Sequence, residues 1–262
     1  MSQLFGARAD AYASFRPHYP ASLFSWLAAQ CASHQQALDI ACGSGQASRP
    51  LRQYFKQVLA SNASLKQVVA GKNYAEVQRF VAEAHAQPLP NQSLELIVVA
   101  QALHWFATPA FFSKVRRLLK PGGVFCAWCY SLMRIDDELD ALIDDLYWNT
   151  LGGYWPAGRS SVDVGYSDID NPFPPCTPPD SAIESSWTLE HLLGYCAPGR
   201  RFSAMSRKML RTRCPNYCPS CSKSGVMPNS HALSAGRYTF WQVRQTDSTA
   251  QRLNSARRLD ER

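Results

Sequence analysis

The stretch Ala37-Leu38-Asp39-Ile40-Ala41-Cys42-Gly43-Ser44-Gly45-Gln46 constrains this 262-residue chain more than any other. A short apolar run closing on Gly-Ser-Gly reads as a buried strand entering a tight turn. Glycines let the backbone turn sharply and approach a ligand, and the helix that follows offers free N–H groups at its start. A lone G-x-G is a weak signal, but a turn that leaves a strand and opens a helix inside a βαβ unit is a stronger one. Ser48 stands where the dinucleotide fingerprint has its third glycine, which argues against an NAD or FAD site. No Gly-Lys-Ser/Thr follows, which excludes a Walker A loop.

The rest of the chain repeats the same alternation. Residues 21–33 carry Leu23, Phe24, Leu27 and Cys31 at helical spacing. Gln46 to Phe55 reads as a helix with Pro50 in its first turn. Further strands are expected at 57–62, 77–84, 94–101 and 124–130, with an amphipathic helix at 111–120 that stops at Pro121-Gly122-Gly123. Residues 135–151 read as an acidic amphipathic helix with a solvated face, and 182–195 as a strand followed by a helix with Thr188 near its start. Strands alternating with helices at this spacing imply a doubly wound, mostly parallel α/β sheet. In such sheets ligands sit at the carboxyl ends of the strands, at the switch point. Asp39–Gln46, Asn62 and Gln101–His104 therefore share one crevice.

Composition allows a core, with 46% hydrophobic and 18% charged residues. There is no apolar run long enough to span a membrane, and Met1–Tyr12 has no signal-peptide pattern, so a cytoplasmic protein is expected. The net charge of +7 is unevenly placed. Residues 1–195 hold 14 Lys+Arg and 17 Asp+Glu, whereas 196–262 hold 13 and 3. Four of the nine cysteines (Cys196, Cys214, Cys218, Cys221) also fall in that last quarter. An odd count without a secretory signal argues against a disulfide framework.

The D-I-A-C-G-S-G-Q turn resembles the first motif of the class I S-adenosylmethionine-dependent methyltransferases, in the small-molecule branch often labelled type 11. Ala86-Gln87-Pro88-Leu89-Pro90 with residues 94–106 resembles its fourth-strand block, and Leu118–Gly123 the signature before strand five. The opening Phe5…Tyr12…Phe15-Arg16-Pro17-His18-Tyr19-Pro20 resembles the segment that covers the cofactor in this branch. The resemblance spans residues 5–195 and implies a Rossmann-like fold using S-adenosylmethionine on a small-molecule acceptor, with a covering segment at 1–34 and a methyltransferase domain at 35–195. The charge and cysteine shift marks residues 196–262 as a separate, basic Cys/Arg/Ser-rich tail, expected to be out of frame and poorly ordered, and no metal, nucleic-acid or membrane partner is expected.

Carried over by position, Asp39, Gly43, Ser44, Gly45 and Gln46 would lie against the methionine moiety and ribose. Asn62 stands where the family has Asp or Glu for the ribose hydroxyls. Glu83 and Ala84 would flank the adenine, Gln101 would close the site, and Tyr12 and Arg16 would cover it. Tyr12, Arg16 and Tyr19 read equally as contacts to cofactor or an anionic acceptor and as a lid that packs. The sulfonium is an activated donor, so a general base is needed only if the acceptor must lose a proton. His104, beside Trp105, is the candidate, and it also reads as a structural histidine. A catalytically impaired remnant or binding protein is the alternative function.

In the tail, Cys214-x3-Cys218-x2-Cys221 with His231 suggests a zinc-dependent nucleic-acid binder, but residues 196–262 lack the core apolars such a module needs. A reading-frame shift fits better. With plausible codons and one base restored before Cys196, the tail re-reads as L-R-T-W-S-A-F-Q-R-Y, which resembles the family's continuation of residues 187–195. Further on, residues 223–245 re-read as I-W-G-D-A-E-Q-P-R-A-V-S-W-P-L-H-F-L-A-G-T, ending in an apolar strand. On this reading the chain's last strand is missing or scrambled.

Overall fold

Each of the five apolar runs expected as strands forms one, and together they build a parallel sheet. The computed structural model describes residues 16–70, 76–173, 182–187, 191 and 195, and the backbone alone of 233–235 and 239–244. The strands are β1 (Gln36–Ile40), β2 (Gln57–Asn62), β3 (Val77–Val81), β4 (Leu94–Ala100) and β5 (Leu119–Cys129). They lie in the order β3-β2-β1-β4-β5, all parallel. The chain order reverses between β1 and β4, so the crevice above their carboxyl ends is the switch point.

Side chains alternate across the pleat and feed a core on each face. Val58, Ala60, Leu96, Val98, Val124, Cys126 and Trp128 pack with Leu23, Phe24 and Leu27 of helix α1 (Ala21–Ala29) and with Leu51 of α2 (Ser48–Leu51). Leu38, Ile40, Ile97, Val99, Phe125 and Ala127 pack on the other face with Phe111, Phe112, Val115 and Leu118. Those four belong to α4 (Pro109–Leu118), which follows the short α3 (Leu65–Ala70) in chain order. Thr108 caps α4 by accepting the Phe111 N–H, and Pro109 occupies its first turn. Burying each of its large apolar side chains is worth about 1.5–3 kcal/mol.

Several boundaries differ from expectation. The helix expected over 46–55 is regular only at Ser48–Leu51. Pro50 donates no N–H, and the following turns tighten to three-residue bonds from Arg52, Gln53 and Tyr54. Strand β3 ends at Val81, where the chain turns through Glu83–Ala86. Strand β5 begins at Leu119 because Lys120–Gly123 loop out of its register with β4, where Leu94 pairs Leu119 and Leu96 pairs Val124. The acidic helix α5 covers Asp137–Asp144 and widens into a π-type turn over Asp145–Thr150. Its acids are partly engaged: Asp136 caps Leu139 N–H and Asp144 accepts from Arg134 at 2.8 Å.

At the edge beyond β5, where the last strand is expected to be missing or scrambled, the backbone of β9 (Thr239–Arg244) runs antiparallel along β5, with Phe240 opposite Trp128. A second small sheet joins β6 (Met133–Arg134), β8 (Leu233–Ala235) and β7 (Ile183–Ser185). Thr239-Phe240-Trp241-Gln242-Val243 is rich in strand formers, which suits that edge. The shifted frame also puts its apolar strand at the end of this stretch. Residues 196–232 with the tail cysteines, the expected helix start at Thr188, and Tyr12 lie outside the described residues. Among the described residues no helix is long and apolar enough to cross a membrane.

Candidate functional site

Both strands at the switch point end in a left-handed residue that is not glycine. Ala41 follows β1 with φ +60, and Gln101 follows β4 with φ +58. Such conformations are strained for L residues and collect at ligand sites. After Ala41 the turn continues through Gly43 (φ +51) and Gly45 (φ +96), a path only glycine follows without strain. A Cβ built on Gly43 meets nothing within 4 Å, so the turn borders open space.

Beneath this turn sits Asp39, 1% exposed. The Ser48 hydroxyl donates to its Oδ2, while Oδ1 is buried with no hydrogen-bond partner among the described residues. Burial pushes the carboxyl up to about 7, against the opposing pull of the Ser48 bond and the Arg79 charge. Ser48, the missing third glycine, thus serves as a donor to the first acidic residue of the turn. Arg79 reaches from β3 across β2: Nη2 donates to the carbonyls of Gly43 (2.5 Å) and Gln67 (3.2 Å), and Nε to Val68 (3.2 Å). Its Nη1 is buried with no partner among the described residues. A cation on the last carbonyls of α3 suits the helix dipole and braces the glycine turn. No sequence signal marks Arg79, because its reach depends on the strand order.

The other expected residues gather around the same rim. Ser44 is buried and donates to Gln46 Oε1 at 2.6 Å. Asn62 ends β2, and its Oδ1 accepts the Ser64 N–H at 2.9 Å. Glu83 and Ala84 follow β3, where the Ala82 N–H donates to the Asn62 carbonyl. Gln101 bridges to β5: its N–H donates to the Trp128 carbonyl (2.8 Å) and its Nε2 to the Tyr130 carbonyl (2.9 Å). Arg16 Nη1 donates to the Tyr130 hydroxyl at 3.1 Å and stacks on Tyr195 at 5.1 Å. Tyr19 packs edge-on against Trp128 at 5.3 Å, so the described part of the N-terminal segment docks on the tip of β5.

His104 lies one turn beyond Gln101. Its Nδ1 is 3.1 Å from the Tyr166 hydroxyl, and its ring packs on Trp105. Burial, aided by the Arg159 charge, lowers its pKa to about 4, so the imidazole is neutral at physiological pH. Tyr166 is fully buried, with φ +63. A buried phenol must place its proton on an acceptor, and Nδ1 is the one at hand, which assigns the remaining ring hydrogen to Nε2. No sequence pattern marks this pair, whose members stand 62 positions apart. Burial pushes the thiols of Cys42 and Cys129 up to about 12, so neither is activated. No metal-binding cluster occurs among the described residues.

A glycine turn beside open space thus sits at the switch point of a Rossmann-like sheet. A family model described as a methyltransferase domain matches residues 38–127. A Dictyostelium discoideum protein named as a methyltransferase is 33% identical over 204 residues, covering 76% of this chain and 78% of that one. A solved Anaeromyxobacter dehalogenans structure described as a type II methyltransferase is 33% identical, with a TM-score of 0.73, covering 88% of this chain and 98% of that one. A Bacillus halodurans structure described as a methyltransferase shares the fold at 15% identity and TM-score 0.51, over 86% of this chain and all of that one. The chain belongs to the methyltransferase family.

Proposed function

We propose that this protein transfers a methyl group from S-adenosylmethionine to a small-molecule acceptor. The observation that carries the reading is the cradle itself, in a chain of this family. Asp39 Oδ1 is a buried acceptor without a partner among the described residues, and the space beside Gly43 is open. Both suit a cofactor with an amino group, hydroxyls and a positive sulfonium. Asp39 and Gly43–Gln46 would hold its methionine and ribose parts, Asn62 the ribose hydroxyls, and Glu83 with Ala84 the adenine. Gln101 and Arg16 would close the site. When bound, the cofactor supplies an already activated methyl group, so the protein's work is to orient the partners and exclude water.

On this reading His104 acts as a donor rather than as a base, because Tyr166 occupies Nδ1 and Nε2 keeps its hydrogen. The acceptor atom then needs no proton removed by the enzyme. The test is transfer of radiolabelled methyl from S-adenosylmethionine into a small-molecule extract. Label should appear with the native chain and vanish with Asp39→Ala; labelling that survives Asp39→Ala would contradict the assignment. A second reading, an impaired remnant, draws on Asn62, whose side-chain oxygen is already committed to the Ser64 N–H. A chain that binds cofactor yet labels nothing in any extract would favour it.

A further inference from the structure

We infer that the methyl acceptor is an organic oxyanion whose charge is received by Arg159, an inference that rests on the methyltransferase reading above. Arg159 precedes helix α6 (Ser160–Asp163) and follows Gly158. Gly158 lies against the loop after β4: a Cβ built on it would meet the His104 carbonyl oxygen at 3.0 Å. From the other side α6 rests on the end of β5, where Cys129 Sγ points to the Val162 carbonyl at 3.9 Å. Arg159 therefore stands where the carboxyl ends of β4 and β5 meet the helical cap, beside His104.

Two aromatic faces hold the guanidinium. It lies 5.6 Å from the Tyr147 ring centroid and 5.7 Å from that of Trp155, and those rings are 4.7 Å apart. The Trp155 indole N–H donates to the Tyr147 carbonyl at 3.1 Å, which fixes the pair. Such faces orient a guanidinium but do not neutralise it. Among the described residues no carboxylate lies within 4.0 Å of Arg159. The nearby acids reach Arg159 only indirectly: the Tyr147 hydroxyl, which Arg159 hydrogen-bonds, donates to Asp163 at 2.7 Å, and Asp168 accepts from Ser161 at 2.8 Å. A half-buried cation, held in place without an ion pair, is an arrangement that an anionic ligand completes.

The neighbouring His104 agrees with this. Its Nε2–H is a second donor, and the Arg159 charge helps to keep the ring neutral. An oxyanion needs no base. Its lone pair forms the new bond to the methyl carbon, the carbon–sulfur electron pair stays on sulfur, and no proton is released. A neutral alcohol or a protonated amine would instead need a proton removed, and the amine would meet Arg159 as a like charge.

The experiment is calorimetric titration of the full chain, preloaded with S-adenosylhomocysteine, with benzoate, phenylacetate, succinate and 4-nitrophenolate. Each is paired with its neutral amide or methyl ether. At least one oxyanion should bind, about tenfold or more tighter than its neutral partner. Arg159→Gln should erase that preference while S-adenosylhomocysteine affinity stays within about twofold, and Arg159→Lys should keep part of it. With a turned-over oxyanion, Arg159→Gln should raise KM far more than it lowers kcat. Equal binding of oxyanions by the native chain and Arg159→Gln overturns the inference, as does a preference for neutral or cationic compounds. A chain that takes up S-adenosylhomocysteine and binds no oxyanion overturns it alone. A chain that takes up no S-adenosylhomocysteine overturns the methyltransferase reading and this inference with it.

Discussion

Replacing Asp39 with asparagine should make the ligand-free protein more stable, and only above the acid range. Asp39 is 1% exposed, and burial raises its carboxyl from 3.8 to about 7 in the fold. A carboxyl with a raised folded value binds its proton more tightly in the native state, so ionisation opposes folding. Below about pH 4 both states hold the proton and nothing is lost. The penalty grows between about pH 4 and 7 and is complete above that. Three decades of proton affinity at about 1.4 kcal/mol each set a ceiling of about 4 kcal/mol. The amide of Asp39→Asn keeps an oxygen for the Ser48 hydroxyl and carries no charge. At pH 8 the variant should therefore unfold up to about 4 kcal/mol harder, or about 8–16 °C higher in Tm. At pH 4 the two proteins should coincide. Urea titrations of the ligand-free chain from pH 4 to 8 supply the comparison. A gap that stays constant across that range, or no gap at pH 8, refutes the argument that burial dominates at Asp39.

Other outcomes follow from the same packing. Asn62→Asp gives two carboxylate oxygens, one for the Ser64 N–H and one for a ribose hydroxyl; S-adenosylhomocysteine should bind about tenfold tighter by calorimetry, and unchanged affinity would remove Asn62 from the ribose. Glu95 is buried, accepting from Ser33 at 2.9 Å, from the Gln36 N–H at 2.8 Å and from Lys120. Burial pushes its carboxyl up, but the bonds from Lys120, Gln36 and Ser33 outweigh it and hold it below the ordinary value. Its stabilisation is present above about pH 4.5 and lost as pH falls through that range. Glu95→Gln should thus cost about 2 kcal/mol in urea at pH 7 and much less near pH 3, and a cost independent of pH would contradict this. If residues 196–262 are out of frame, the purified chain should hold no stoichiometric zinc, and one base inserted before codon 196 should raise Tm and solubility. One tightly held zinc per chain would revive a metal module.

The parts of the architecture that were legible in the sequence are those set by local physics. Apolar runs such as Leu94–Ala100 are buried on both sides and read as parallel strands whatever their partners. Gly43 and Gly45 announce a turn because their φ values suit no other residue as well. Arg79, Tyr166 and Arg159 were not legible, because each acts on a strand end distant in sequence. Their roles exist only once β3 lies beside β2 and the cap lies over β4. The helix over 46–55 was overestimated because hydrogen bonding, and not periodicity, decides its end after Pro50; the helix over 135–151 keeps nearly its expected length but widens to a π-helix at Asp145. The strand at Thr239–Arg244 is locally legible, since Thr, Phe, Trp and Val are strand formers, but its partner β5 lies more than 100 residues away and is not.

Calorimetric titration of S-adenosylhomocysteine into the purified, ligand-free chain, beside NADH and a Gly43→Val variant, tests the cofactor cradle most directly. Binding of one S-adenosylhomocysteine per chain, none of NADH, and loss of the signal in Gly43→Val is the expected result. Valine there would both strain a backbone at φ +51 and fill the open space beside the turn. Binding of NADH without S-adenosylhomocysteine, or full affinity in Gly43→Val, would contradict the assignment of this turn as the cofactor cradle.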